Sequence, residues 1–335
     1  MTMRAVVCHA ITPDLTGVEV RAVPTPSPGP GEALIRVRAA SINFPDILMC
    51  QGRYQFKPDP PFTPGLDVAG DIAGFGPGTE RRGFELGQSV VCGMRLGGFA
   101  EFAVVPVASL LTKPAPLGFA QAAAYPAVYH TARVALVRRG QLQAGETLLV
   151  LGAAGGVGLA CVDLGLSMGA RVIAAASTPE KRAFLKAFGA HETVGAAGFR
   201  DAVLAATNGR GADVIYDPVG GDVFDEAIRL TAFEGRYLVV GFASGRIGQT
   251  AANIPLIKGF SLVGVRAGEY ARRFPERGIE DRAAMHALAE AGAICPHVHA
   301  ELPLDRVVEA MGLLQSRAVI GKVVLRPDQA DTAAA

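Results

Sequence analysis

A glycine-rich segment constrains the fold of this chain more than any other feature. The sequence LLVLGAAGGVGLA, residues 148–160, passes from apolar residues through a turn with four glycines into small residues. Strand, glycine turn and helix in this order are typical of the phosphate-binding unit of an open parallel sheet. Glycine lets the backbone approach a pyrophosphate, and the helix start offers N–H groups and a positive dipole end. We therefore favour a dinucleotide site over an ordinary tight turn, with phosphate contacts at Ala154, Gly155, Gly156 and Val157.

The end of the next predicted strand, RVIAAAS, indicates which dinucleotide binds. NAD-binding domains usually carry Asp or Glu about 20 residues after the glycine turn, where it binds the ribose hydroxyls. Here that place holds Ser177 and Thr178, followed by Lys181 and Arg182. Hydroxyls and cations suit a 2′-phosphate, whereas a solvated helix start is the alternative explanation. Because the acid is missing, we predict NADPH, with Ser177 and Lys181 as contacts.

The remaining pattern predicts an α/β protein with two domains. Short strands such as EALIRVRAASI and SVVCG are separated by Pro- and Gly-rich segments over the first 120 or so residues. Apolar strands then alternate with helices, which favours a parallel sheet covered on both faces. A length of 335 residues and 50% hydrophobic residues suffice for two cores. The predicted parts are a β-rich domain over 1–125, a parallel-sheet domain over 126–267, a return to the first domain over 268–328 and a flexible tail over 329–335.

Charge and cysteine usage exclude several classes of protein. The chain has 32 basic and 31 acidic residues, so no overall field attracts nucleic acid or an anionic membrane. Its five cysteines form no C-x-x-C pair, which disfavours a disulfide framework or a cysteine-rich zinc site. The segment MTMRAVVCHA lacks the features of a signal peptide, and no apolar run reaches the roughly 18 residues of a membrane span. We expect a cytoplasmic protein.

Six segments together point to a known family. They are SINFPDILMCQGRY, PFTPGLDVAG, GAAGGVGLA, VIYDPVGGDVF, GRYLVVGFASG and SRAVIGKVVL. Through them the chain resembles the zinc-independent quinone oxidoreductases, the zeta-crystallin-like branch of the medium-chain dehydrogenase/reductase superfamily, from about residue 3 to 326. The resemblance implies a GroES-like β-rich catalytic domain interrupted by a doubly wound Rossmann domain, NADPH between them, and commonly a homodimer.

The segments that hold catalytic zinc in zinc-dependent relatives have changed in this chain. The resemblance places Asn43 where those relatives have Cys, and Gly65-Leu66-Asp67 where they have Gly-His-Glu. The segment AAAYPAVYHTA holds no Cys, and the four-cysteine structural lobe is missing. One carboxylate falls short of the three protein ligands of a catalytic zinc. We therefore expect no metal at this place.

A second arrangement of metal-binding residue types lies near the C-terminal end of the chain. Cys295, His297 and His299 would share one face of a strand. Residues 295 and 299 would then be about 13 Å apart, whereas the ligands of one zinc lie within about 4 Å of each other. An ordinary polar strand face is the better explanation.

The resemblance also implies the remaining candidate site residues. It places Asn43 and Asp46 beside the nicotinamide and Tyr54 at the substrate mouth. The amide and the phenol can donate to a developing oxyanion, whereas Asp46 suits the orientation of a ribose or a neighbour. The alternatives are a helix cap at Asn43 and a loop aromatic at Tyr54. Further coenzyme contacts are implied at Thr131, Val240, Gly241, Phe242, Val265, Arg266, Arg317 and Lys322. For the last two, solvated surface charges are the alternative explanation.

These expectations combine into one functional hypothesis. The chain is expected to be an NADPH-dependent, metal-independent reductase of quinones or α,β-unsaturated carbonyls, acting by hydride or one-electron transfer. An enoyl-thioester reductase of the same superfamily is one alternative. A non-catalytic NADPH-binding protein, structural or RNA-binding, is another, although the net charge of +1 disfavours RNA. The expected partners are a small-molecule acceptor and a second copy of the chain, paired through strands near 258–266, with no nucleic acid or membrane.

Overall fold

The computed structural model describes residues 1–329, which form two compact units. Unit 1 consists of Met1–Ala127, Ala289–Gly292 and the chain from Pro296 onward, and unit 2 of Val128–Leu288 and Ala293–Cys295. The predicted tail, apart from residue 329, lies outside the described residues. The chain thus returns to unit 1 near residue 289, later than the predicted 268.

Fifteen strands are found in the described part of the chain. They are β1 (Thr2–Cys8), β2 (Val18–Pro24), β3 (Glu32–Ser41), β4 (Asp67–Phe75), β5 (Ser89–Gly93), β6 (Phe102–Pro106), β7 (Leu111–Thr112), β8 (Thr147–Val150), β9 (Arg171–Ala175), β10 (Glu192–Val194), β11 (Ala212–Asp217), β12 (Thr231–Val239), β13 (Ser261–Gly264), β14 (Val298–Pro303) and β15 (Lys322–Arg326). Strands β1–β7, β14 and β15 belong to unit 1, and β8–β13 to unit 2.

Eleven α-helices accompany these strands over residues 1–329. They are α1 (Phe44–Cys50), α2 (Phe119–Ala124), α3 (Pro126–Arg133), α4 (Gly156–Ser167), α5 (Pro179–Ala187), α6 (Arg200–Ala206), α7 (Gly221–Ala227), α8 (Asn253–Lys258), α9 (Ala267–Arg273), α10 (Pro275–Glu290) and α11 (Val307–Gln315). None of the helices in this part of the chain combines the length and hydropathy that crossing a membrane requires.

Unit 1 is built on mostly antiparallel sheets. Strands β1 and β2 pair with each other, and a seven-stranded sheet runs β14-β15-β3-β4-β5-β7, with β6 also paired to β3. Along β3, buried residues alternate with more exposed ones over most of its length, as in a strand with one face on the core. Antiparallel pairing of β15 with β3 places Val324 opposite Ser41, so the C-terminal strand lies beside the start of α1.

Unit 2 contains a six-stranded sheet in the order β10-β9-β8-β11-β12-β13, and all five neighbouring pairs are parallel. Every residue of β8 and β11 is buried, which agrees with apolar runs covered on both faces. Helix α10 is joined to this unit because the fully buried carboxylate of Asp281 accepts hydrogen bonds from Arg133 at 2.8 Å and Arg138 at 3.0 Å. This paired carboxylate explains why the chain remains in unit 2 beyond residue 268.

Candidate functional site

The coenzyme contacts predicted within unit 2, except Thr131 in α3, gather at one edge of its sheet. The glycine turn follows β8, Ser177 follows β9, residues 240–242 follow β12 and residues 265–266 follow β13. Because these strands are parallel and adjacent, their carboxyl ends share one edge. Ligands of open α/β sheets bind outside this edge, so the sheet topology brings the predicted residues to a suitable place.

The glycine turn has the geometry of a phosphate cradle. Gly152 adopts φ +58°, and a Cβ at Gly158 would lie 2.3 Å from the carbonyl oxygen of Gly152. Only glycine at residue 158 therefore lets α4 pack this closely on the turn. Gly155 is the N-cap of α4, and its own N–H is bonded to the Gly152 carbonyl at 3.0 Å. The N–H groups of Gly156 and Val157 have no acceptor one turn earlier in the helix, which leaves them for an anion.

The end of β9 presents hydroxyls and a guanidinium. Ser177 and Thr178 are exposed, and the Thr178 hydroxyl caps α5 by accepting from the N–H of Lys181 at 3.2 Å. The guanidinium of Arg182 donates to the carbonyls of Ala176 and Ser177 at 3.1 and 3.4 Å. Lys181 is only 8% exposed, and burial lowers the pKa of its ammonium. We therefore replace the predicted phosphate contact at Lys181 with Arg182.

Asp217, at the end of β11, is a buried carboxylate that sequence reasoning missed. Its Oδ1 accepts from the N–H groups of Val219 and Gly220 at 2.8 and 2.9 Å, and its Oδ2 accepts from the Tyr237 hydroxyl at 2.8 Å. Its backbone carbonyl accepts from the N–H of Val240 at 2.9 Å. Burial raises the pKa of Asp217, and these hydrogen bonds oppose the increase. Asp217 thus fixes the loop after β11 against the end of β12; the sequence signal was an acid directly before Pro-Val-Gly-Gly.

A buried polar cluster lies at the start of α1 in unit 1. We call it the Asn43 cluster; its members are Asn43, Asp46, Asp67 and Lys322, each no more than 6% exposed. The Lys322 ammonium donates to Asn43 Oδ1 at 2.7 Å and to the Ile42 carbonyl at 2.6 Å. Asn43 Nδ2 in turn donates to Asp67 Oδ2 at 2.8 Å. The amide of Asn43 is therefore oriented by a cation on one side and a carboxylate on the other.

These contacts correct the oxyanion role predicted for Asn43. Besides Asp67, Asn43 Nδ2 donates to the carbonyl of Ser41 at 3.3 Å, so both amide hydrogens are used within unit 1. Asn43 is also the N-cap residue of α1. The Asn43 side chain therefore has no N–H left to donate to an acceptor.

The role predicted for Asp46 is narrowed in the same way. This carboxylate is fully buried, its Oδ2 accepts from the N–H of Asn43 at 2.8 Å and its Oδ1 accepts from the N–H of Gly65 at 3.1 Å. Asp46 therefore orients a neighbour, as one interpretation allowed, and does not reach a ribose. It joins the start of α1 to the segment before β4.

The Asn43 cluster contains two carboxyls and one ammonium with shifted pKa values. Burial raises the pKa of Asp46 to about 7 and that of Asp67 to about 6, although Lys322 opposes both increases. Burial also lowers the pKa of Lys322 to about 8, while the two carboxylates oppose this decrease. The charge of the cluster therefore changes within the range from weakly acidic to weakly basic pH. A buried ammonium used in this way cannot serve the adenosine phosphate, so the coenzyme contact predicted at Lys322 is withdrawn.

Tyr54 and Arg317 are the remaining predicted residues of unit 1. Tyr54 is half-buried, packs against the core of unit 1 and has no hydrogen-bond partner for its hydroxyl among residues 1–329. This leaves the phenol able to donate to a substrate. Arg317 is exposed just after α11, with φ +57°.

Two family models match the chain. The alcohol dehydrogenase GroES-like domain matches residues 29–115, and the zinc-binding dehydrogenase family matches residues 156–281. The first range lies in unit 1 and the second in unit 2. The predicted fold, a GroES-like domain with a parallel-sheet Rossmann domain, is confirmed.

The residues of the Asn43 cluster do not fit the zinc that the second family description implies. Asn43 and Asp67 are hydrogen bonded to each other, and an ammonium lies 2.7 Å from Asn43 Oδ1. Across the described residues, no three His, Cys, Asp or Glu side chains come together as a metal site would require. The two carboxylates of the cluster thus fall short of the three protein ligands of a catalytic zinc.

Similar proteins extend over almost the whole chain. The "quinone oxidoreductase-like protein 2 homolog" of Nematostella vectensis is 38% identical over 332 residues, 97% of this chain and 89% of that protein. Among solved structures, an "NAD-dependent alcohol dehydrogenase" is 32% identical with a TM-score of 0.86, covering 97% of this chain and 99% of its own. Mycobacterial Rv1454c in complex with NADPH is 28% identical with a TM-score of 0.87, covering 97% of this chain and 100% of its own. The chain therefore belongs to the oxidoreductases of the medium-chain dehydrogenase/reductase superfamily, in the quinone oxidoreductase-like, zeta-crystallin-like branch.

Proposed function

We propose that this oxidoreductase uses NADPH to reduce quinones or α,β-unsaturated carbonyls without a metal. The observation that carries the proposal is the sheet edge of unit 2, where a glycine phosphate cradle adjoins a β9 end with two hydroxyls and a guanidinium. An exposed serine at the ribose position favours a 2′-phosphate over a free hydroxyl pair. The quinone oxidoreductase-like relatives support the choice of acceptor.

Bound NADPH would supply the reducing power at its nicotinamide ring. The residues of this chain would hold the pyrophosphate on Gly155–Val157, and the adenosine end on Ser177, Thr178 and Arg182. Reduction of a quinone or enone also consumes a proton, and Tyr54 is the candidate donor because its side chain is only partly buried and its hydroxyl is unbonded within residues 1–329. The Asn43 cluster would hold the start of α1, the helix that precedes Tyr54.

A panel of acceptors tests this proposal directly. Quinones, enals, enones and enoyl-thioesters should be compared by the loss of reduced-nicotinamide absorbance with NADPH and with NADH. We expect turnover of at least one quinone or enone, and no loss of rate after exhaustive chelation. Turnover confined to enoyl-thioesters would move the protein to the alternative reductase class. A chelator-sensitive rate restored by zinc would contradict the metal-independent mechanism.

The coenzyme preference gives a first prediction. Arg182→Ala should weaken NADPH binding by about tenfold to a hundredfold, because a charge-assisted hydrogen bond contributes about 1.5–3 kcal/mol, and it should leave NADH nearly unchanged. Ser177→Asp should reverse the preference, since a carboxylate repels a 2′-phosphate and accepts from the ribose hydroxyls. The measurement is the dissociation constant of each coenzyme by fluorescence titration.

Lys186→Ala is the matched control for these variants, because this exposed lysine lies on α5 and donates to the carbonyl of His191. It should leave both affinities unchanged. Equal losses of NADPH and NADH in Arg182→Ala would mean that the end of β9 does not recognise the 2′-phosphate.

The predicted homodimer is a second proposal, and the exposed edge of unit 2 supports it. Strand β13 is the last strand of the six-stranded sheet, and Leu262 in this strand is 45% exposed. Phe233, Leu256 and Ile257 are 72–80% exposed. Phe233 lies against the segment before β13, since a Cβ at Gly259 would lie 2.3 Å from its ring. Strand β13 pairs with β12 on one side only among residues 1–329, and a free strand edge beside apolar side chains is a surface that a second copy would cover.

We therefore expect a dimer in light scattering and a monomer after the double substitution Leu256→Asp and Ile257→Asp. Charges at these two positions would be buried in the proposed interface without partners, which is costly. Leu86→Asp is the control, because Leu86 is 59% exposed on unit 1. A monomeric wild type at the working concentration would contradict this proposal.

A further inference from the structure

Three exposed cations lie on the segment that contains the proposed proton donor Tyr54 or on a loop that contacts this segment. Arg53 and Lys57 lie on the segment that follows α1, on either side of Tyr54 in sequence. Arg95 lies on the loop after β5, and its guanidinium carbon is 4.1 Å from the centroid of the Phe56 ring. The Phe56 contact thus brings the two loops together. We call Arg53, Lys57 and Arg95 the basic rim.

The positive charges of the basic rim are not neutralised by ion pairs within residues 1–329. None of its three side chains forms an ion pair among residues 1–329, whereas Arg4 is paired with Glu101 and Arg326 with Glu301 elsewhere in unit 1. The segments 51–57 and 93–98 contain no acidic residue at all. The positive charge of the rim is therefore available to something outside unit 1.

Stacking on the Phe56 ring leaves the guanidinium of Arg95 able to bind an anion. A guanidinium that lies over an aromatic ring keeps its N–H groups at the edge, where they can form two parallel bonds to a carboxylate or phosphate. Phe56, like Tyr54, packs partly buried against the core of unit 1, so the ring beneath Arg95 is fixed. A fixed cation loses less conformational freedom on binding than one on a free side chain.

We propose that the acceptor carries an anionic group, a carboxylate or a phosphate, remote from the bond that is reduced, and that Arg95 binds this group. Arg53 and Lys57 add positive charge beside it. The inference rests on the proposed function, because that function places the acceptor beside Tyr54. It makes Arg95 a residue of substrate specificity with no part in the chemical step.

A comparison of two enones tests the effect of this negative charge separately from the effect of the reacting group. The carboxylate 4-carboxybenzylideneacetone and its methyl ester share one reducible bond and differ in the negative charge. In the wild type with NADPH, we expect a KM about tenfold lower for the carboxylate. Arg95→Gln should remove this difference by raising the KM of the carboxylate about tenfold, to that of the ester. The difference should also shrink as salt is added, because salt screens exposed charges.

Arg81→Gln is the matched control for this experiment. Arg81 is also an exposed arginine of unit 1 over a phenylalanine ring, with its guanidinium carbon 4.9 Å from the centroid of Phe75, but it lies on another loop. This variant should keep the preference for the carboxylate.

A second pair, crotonyl-CoA and crotonyl-N-acetylcysteamine, tests phosphate as the anion. Both compounds carry the same reacting crotonyl thioester, and only the CoA compound carries phosphates. Discrimination in the first pair alone identifies a carboxylate, and discrimination in the second pair alone identifies a phosphate.

Two outcomes would overturn the inference: equal use of charged and neutral acceptors in both pairs, or an equal loss for both members of a pair in Arg95→Gln. If no acceptor of either pair is reduced, the inference is decided by calorimetric binding, while the proposed function is decided separately by the panel of quinones and enones. In that case, binding of the carboxylate that exceeds binding of the ester, and that is lost in Arg95→Gln, supports it. Equal binding of acid and ester overturns it.

Discussion

Replacing Lys322 with Met should lower the free energy of unfolding by about 3 kcal/mol at pH 8. The substitution keeps much of the side-chain volume but removes the ammonium that donates to Asn43 and to the Ile42 carbonyl. Asp67 and Asp46 then remain buried without a cation, and removing one partner from a buried charge group is strongly destabilising. Denaturant unfolding of the wild type and the variant measures this loss.

The pH dependence of the loss distinguishes a charge effect from a packing effect. Burial raises the pKa values of Asp46 and Asp67 above 3.8, so the folded state binds more protons than the unfolded state between about pH 4 and 7. Their contribution to stability is therefore complete at low pH and decreases as the pH rises through about 6 and 7. Without Lys322, both pKa values should rise further, and the cost of Lys322→Met should shrink toward pH 5.

Lys186→Met is the control for Lys322→Met, because this exposed lysine donates to one carbonyl and belongs to unit 2. Its effect should stay within about 0.5 kcal/mol at both pH values. An equal loss in Lys322→Met at pH 5 and pH 8 would assign the effect to packing and would contradict the charged cluster.

The Asn43 cluster also shows which part of the site could not be predicted from sequence. Asn43 and Lys322 are 279 residues apart, and only the pairing of β15 with β3 brings them together. The segment SRAVIGKVVL identified the strand but not the neighbour of its lysine. From the sequence, a lysine near a candidate phosphate site is predicted to bind the phosphate, because sequence alone does not show which pairs of strands meet.

The glycine turn, in contrast, could be predicted from sequence, because the residues that constrain one another there are close in sequence. Strand, turn and helix are consecutive in sequence, and the steric need for Gly158 arises from Gly152, six residues earlier. Closeness in sequence does not show, however, whether Lys181 or Arg182 of α5 is the better candidate for the phosphate contact. Adjacent helix positions point in directions about 100° apart, so the packing of α5 on unit 2 decides that Lys181 is buried and that Arg182 lies at the end of β9.

Tyr54→Phe should lower kcat for the best quinone or enone by about a hundredfold, because a positioned proton donor typically contributes at least this factor. The substitution removes one hydroxyl and keeps the ring that packs against the core of unit 1. The affinity for NADPH should not change, since the residues proposed to hold the pyrophosphate and the adenosine end, Gly155–Val157, Ser177, Thr178 and Arg182, belong to unit 2. A loss in kcat with an unchanged dissociation constant for NADPH is the signature of a group that acts in the transition state.

Tyr270→Phe provides the matched control, because Tyr270 is also a half-buried tyrosine but its hydroxyl accepts from Arg277 at 2.8 Å. This variant should retain normal turnover. Normal turnover in Tyr54→Phe would leave Tyr54 as a loop aromatic and would assign the proton to water. Such a result would also remove the reason to locate the acceptor beside the basic rim, so this variant and Arg95→Gln together decide where the acceptor binds.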